Sequence, residues 1–108
     1  MTDSKLVRDN IPGIIRSDGI DPLVRVAASE EYAARLRDKL REEVAEFFSA
    51  DAEGDKEQSL QELADILEVL YALADDIGTD RERLEAVRAA KAARNGAFTK
   101  RFIWTGNA

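Results

Sequence analysis

The stretch REEVAEF, residues 41–47, carries three glutamates in five positions, and QELADIL, residues 61–67, repeats the theme. Leu36, Leu40, Val44, Phe47 and Phe48 recur at three- and four-residue steps, which predicts one apolar face of a helix. Glu43 borders that stripe, and Glu46 stands one step further round the same edge. On the following apolar run, Glu62 and Asp65 are also three apart, so each pair shares a helical face. Two such pairs on antiparallel neighbouring helices converge on one point, where four carboxylates repel unless cations join them. Spacing alone leaves two readings open. With 22 acidic residues in the chain, charge along helix edges is the ordinary pattern, and Glu42 and Glu46 can pair with Lys39 or Arg41 in solvent. The other reading is a site for a hard divalent cation.

Working outward, Ser29 is the expected N-cap of the first long helix, with Glu30 and Glu31 in its first turn, and the helix is expected to end near Ala50. Asp55 and Gln58 form a capping-box-like start for the next. Its apolar set, Leu60, Leu63, Ile66, Leu67, Val69, Leu70, Leu73 and Ile77, covers about half the circumference. That is too broad for one partner, so a homo-oligomer, dimer or tetramer, is expected. Gly78 ends this helix. Thr79 and Glu82 predict another capping box and a helix reaching about Arg94, closed by Asn95-Gly96. Before these, Asn10 and Pro12 predict a short helix over 12–17, ended by Gly19. PLVRV predicts a short strand over 23–26, and FTKRFIW a second strand able to pair with it. The expected fold is all-α: one domain over 1–108, an antiparallel helix bundle with a small β-ribbon from the N- and C-terminal segments.

Composition narrows the chemistry. Cysteine and histidine are absent, which excludes disulfides, thiol catalysis, Ser-His relays and His-ligated zinc. A net charge of −6 speaks against a nucleic-acid polymer as partner, though not against a nucleotide. No apolar run long enough to span a membrane and no apolar core for a secretory signal is visible, so a cytoplasmic location is expected. The cations available for phosphate are Lys91 and Arg94 on the last helix, Lys100 and Arg101 in the closing segment, and Lys5 and Arg8 in the opening one. Lys91 and Arg94 share a helical face and are the first choice. Strand alternation would point only one of Lys100 and Arg101 inward. Tyr71 reads as core or interface, and Phe98, Phe102 and Trp104 as core or ribbon packing.

EEVAE, then 15 residues, then ELAD resembles the E-E-x-x-E…E-x-x-D pattern of the all-α nucleoside triphosphate pyrophosphohydrolases. KLVRDNIPGII, LADILEVLYAL and KAARNGAFTKRFIW are similar to segments of its MazG-like and phosphoribosyl-ATP pyrophosphohydrolase-like members, so the resemblance spans nearly the whole chain. It implies a Mg²⁺ site, with Mn²⁺ a possible substitute, on Glu43, Glu46, Glu62 and Asp65. It implies hydrolysis of a nucleotide to its monophosphate and pyrophosphate, as in house-cleaning of non-canonical nucleotides. With no Cys or His, the nucleophile is water, and Glu42 or Glu46 is the candidate proton acceptor. Glu42 also fits a second metal, a water-orienting role or plain solvent exposure. The subgroup's R-G-x-F is here NGAF, residues 95–98, with Arg94 displaced by one position, so a cation expected there must come from elsewhere. Two alternatives stay open: a phosphoribosyl-ATP pyrophosphohydrolase of histidine biosynthesis, and a helical interaction module without turnover.

Overall fold

The computed structural model describes residues 4–108. Four helices follow one another: α1 (Ile11–Ser17), α2 (Ser29–Ala52), α3 (Lys56–Asp76) and α4 (Arg81–Asn95). α2 and α3 form an antiparallel hairpin that supplies most of the tertiary packing, and α4 packs only on α3. Arg37 of α2 ties the open end of the hairpin by donating to Asp76 of α3 at 2.7 Å. At the closed end the chain turns in three residues, with Gly54 at φ +72°, a backbone angle that L side chains rarely adopt.

The local signals act where side chains can reach the backbone. Asp55 caps α3 by accepting the Gln58 N–H at 3.0 Å. α4 is capped by Asp80, which accepts from the Arg83 N–H at 2.7 Å, so Thr79 is displaced from the expected role by one position. Ser29 lies inside α2, behind an N-cap Ala28 that offers no side-chain oxygen. Asn10 occupies the N-cap of α1 in a helical conformation, and its side chain caps nothing.

The expected β-ribbon is not present: among the described residues there is no strand. Residues 23–26 and 98–104 have strand-like composition, but a two-stranded ribbon needs an apolar surface beneath it. Neither segment finds one here. Leu23 is fully exposed and Phe98 96% exposed, and Arg101 takes φ +62°, which breaks an extended run. β-propensity without a surface to pack on does not make a sheet.

The interior is small. Among the described residues, Leu36, Ala50, Val69 and Ala74 are the buried apolar ones, and no side chain is enclosed completely. The side of α3 turned to α2 carries Glu62, Val69 and Asp76. Another side carries Leu60, Leu63, Leu67, Leu70 and Ile77, all substantially exposed, with Leu60 at 61% and Ile77 at 70%. The radius of gyration is 18.1 Å, against about 13 Å for a compact chain of this length.

Candidate metal centre

Half-way along the hairpin, three carboxylates from two helices meet. Glu43 of α2 and Glu62 and Asp65 of α3 each offer an oxygen, and these oxygens all lie within 4.8 Å of one another. Glu42, Glu43 and Glu46 form a second such group on α2, sharing Glu43 with the first. Helix geometry makes this possible, because the three- and four-residue spacings keep each set along one side of its helix, with Glu43 buried and Glu46 at the exposed edge.

The cluster is partly buried, and its bonding is incomplete in a regular way. Glu43 and Glu62 are only 6% and 7% exposed. One oxygen of each is held from the preceding turn. Lys39 Nζ lies 3.3 Å from Glu43 Oε1, and Gln58 Nε2 donates to Glu62 Oε1 at 2.6 Å. The other oxygen of each, Glu43 Oε2 and Glu62 Oε2, is buried with no hydrogen-bond partner. Buried carboxylate oxygens are costly to leave unpaired. Two of them, beside Asp65, fit a hard cation that takes oxygen ligands. Asp65 is held by Arg8 of the opening segment, which donates to Oδ1 at 2.6 Å. Each ligand candidate is thus oriented by a polar neighbour, as carboxylates at metal sites commonly are.

Glu46 stands at the outer edge of this group. Its pKa is pushed up to about 7, first by desolvation and then by the Glu43 and Glu62 carboxylates. A carboxyl group raised to that range can hold or give up a proton near neutrality. Glu42 is half-buried, 3.6 Å from Lys39 Nζ. Arg41 turns away to Asp38 at 3.0 Å and takes no part.

Two hollows adjoin the carboxylates. A shallow cleft of about 360 Å³ lies on the Glu46 and Glu62 side, toward the hairpin turn. A larger groove of about 1010 Å³ runs the other way from Glu43 and Asp65, between α2, α3 and the opening segment. Lys5, Arg8 and Lys39 line this groove. Lys91 and Arg94, the first choice from sequence, stand exposed on α4 and line neither hollow, and Arg101 stands exposed in the closing segment. The structure therefore gathers Glu42, Glu43, Glu46, Glu62, Asp65, Lys5 and Arg8. It does not bring Lys91, Arg94 or Arg101 to them within one chain. The sequence reading paired Lys39 with Glu42 or Glu46 and gave Gln58 to the α3 cap, but did not foresee their contacts to Glu43 and Glu62, although each lies four residues before that ligand candidate.

The family model described as phosphoribosyl-ATP pyrophosphohydrolase matches residues 24–92, more than half of the chain and a span that contains the acidic cluster. The chain belongs to that family. The family lies in the MazG-like all-α nucleoside triphosphate pyrophosphatase superfamily. An uncharacterized protein of Mycolicibacterium smegmatis is 50% identical over 48 residues, which cover 44% of this chain and 49% of that protein. The match thus spans about half the length of the relative. No solved structure matches. Of the cations that line the groove, Lys39 lies within the segment matched to the family, and Lys5 and Arg8 lie before it.

Proposed function

We propose that the protein is a Mg²⁺-dependent nucleotide pyrophosphohydrolase, converting a nucleoside triphosphate and water to the monophosphate and pyrophosphate. The observation that carries this reading is the pair of buried, unpartnered oxygens on Glu43, which lines the cation-bearing groove, and on Glu62, which lines the cleft on the other side. Glu43, Glu62 and Asp65 would hold the cation, with Glu46 beside them. Bound there, it would supply Lewis-acid polarisation of phosphate oxygens and acidify water. Lys39 and Gln58 keep the Glu43 and Glu62 carboxylates in register. Glu46, with its raised pKa, accepts the proton from the attacking water, and Glu42 is the second candidate for that role. Lys39, Arg8 and Lys5 offset the charge of the phosphate chain. Among these, Arg8 pairs with Asp65, and its guanidinium would be available to phosphate were that carboxylate to hold the cation.

A second reading of the substrate is phosphoribosyl-ATP, as in histidine biosynthesis. The description of the matching family favours it, and it uses the same carboxylates. Assembly belongs to the same proposal. The exposed residues Leu60, Leu63, Leu67, Leu70 and Ile77, with Ala74 completing the pattern, alternate steps of three and four. That is the seam spacing of packed helices. A second copy of the chain covers that seam, making a dimer the minimum unit. Among the described residues, no helix is long and apolar enough to cross a membrane.

Pyrophosphate release tests the reading, over canonical, deoxy and damaged nucleoside triphosphates and phosphoribosyl-ATP, with Mg²⁺ and with a chelator. Monophosphate and pyrophosphate in equal amounts, formed only with metal, are expected from at least one substrate. A helical interaction module without turnover would release none from any of them.

A further inference from the structure

The large groove has two chemically different ends. At the carboxylate end stand Lys39 and Arg8, each paired to a ligand candidate. At the other end, Tyr71 of α3 lies under the guanidinium of Arg81, whose carbon sits 4.1 Å from the ring centroid. Both residues line the groove, as do Glu68 and Asp75. Glu68, Tyr71 and Asp75 follow one another at steps of three and four, so the two carboxylates flank the ring along one helical face. Tyr71 is six residues beyond Asp65, about 9 Å along the helix axis. That is roughly the reach from the phosphates of a nucleotide to its base.

The opening segment that walls this groove is fastened at two points. Arg35 of α2 donates to the Ser4 carbonyl oxygen and to Ser4 Oγ, both at 2.8 Å, and Arg8 donates to Asp65. The acidic character of the far end also registers on Tyr32, which lines the groove there. Burial, and then Asp76, Asp75 and Asp9, raise its phenol pKa above the ordinary value.

We propose that the far end of the groove seats the base of the nucleotide, stacked on the Arg81–Tyr71 column, with Glu68 and Asp75 selecting bases that carry an exocyclic amino group. The inference rests on the nucleotide reading given above. A planar guanidinium stacked on a phenol ring presents its outer face to a further aromatic plane. Carboxylates accept hydrogen bonds and donate none, so they favour the amino groups of cytosine, adenine and guanine. Uracil and thymine would turn carbonyl oxygens toward them, and that mismatch sets the discrimination.

Equilibrium binding of α,β-methylene nucleoside triphosphates, which resist cleavage at the α–β bond, tests this without turnover. The cytosine and adenine analogues are expected to bind about tenfold tighter than the uracil analogue, within the range of one stacked or hydrogen-bonded base contact. Arg81→Ala and Tyr71→Ala should remove most of that affinity while leaving inorganic triphosphate binding unchanged. Tyr71→Phe keeps the ring and should retain the affinity. Asp75→Asn should narrow the gap between cytosine and uracil. If Tyr71→Ala unfolds the helices by circular dichroism, the Arg81→Ala and Asp75→Asn results decide. Should Arg81→Ala lower only the melting temperature and leave base discrimination intact, Arg81 merely ties α4 to α3 and the proposal is overturned. Equal binding of all bases overturns it as well. The two readings fail separately. Tyr71-dependent binding with no pyrophosphate release removes the hydrolase and keeps the seat, whereas turnover without base preference does the reverse.

Discussion

The decisive residues are Glu43 and Glu62, because each is buried with one oxygen held and the other unpartnered. Removing one negative charge from such a group relieves repulsion in the metal-free protein. Glu43→Gln or Asp65→Asn should therefore abolish turnover while leaving helical content intact. The metal-free melting temperature should rise slightly, as read by circular dichroism with a chelator present. Turnover at the wild-type level in both variants would remove these residues from the site. Glu46 gives a second, pH-dependent outcome. Its folded pKa, about 7, lies above the ordinary carboxylate value of 4.5, so between those values the folded state holds more proton than the unfolded one. The stability of the metal-free protein should consequently fall as pH rises from about 5 to about 8, a direction set by proton linkage. Glu46→Gln should flatten that slope, and thermal melts across the range show whether it does. The acidic residues were legible in the sequence because helical spacing fixes their neighbours. Lys39 and Gln58 were within reach of the same rule, at four residues before Glu43 and Glu62. The Arg8–Asp65 pair was not, because 57 residues separate its members and no local period connects them.

At the scale of elements, α2 and α3 follow from apolar periodicity, and the Asp55 cap follows from its spacing to Gln58. Periodicity also told which positions of α3 are apolar, but not what would cover them. Apart from the buried Ala74, the seam from Leu60 to Ile77 meets solvent in the single chain, while the Glu62–Asp76 side meets α2. Leu67→Glu places a charge in the middle of that seam. It should give a monomer of 12 kDa by light scattering at micromolar concentration, where the unaltered protein is expected to be at least a dimer. A monodisperse monomer before substitution would contradict the assembly proposed for this face. The β-ribbon was the misreading of the sequence. Residues 23–26 and 98–104 have the branched and aromatic composition of strands, yet strand formation depends on a packed face that composition does not reveal. The shift of the α4 cap from Thr79 to Asp80 has a similar cause, since either oxygen-bearing side chain satisfies the sequence pattern and only backbone geometry chooses between them.

For the molecule as a whole, an extended helical hairpin with few buried apolar side chains presents its best-defined feature in a polar site. The carboxylates lie where the two long helices face each other, the cations of the opening segment close one side, and the groove leads away between them. Lys39 and Arg8 offset only part of the charge of those carboxylates, so cation binding and stability are coupled. Calorimetric titration of Mn²⁺ into the unaltered protein and into Glu62→Gln, at pH 7, tests this most directly. Saturable binding to the former, with an accompanying rise in melting temperature, and loss of both in Glu62→Gln are expected. Absence of a saturable heat in the unaltered protein, or identical isotherms for the two proteins, would contradict that expectation.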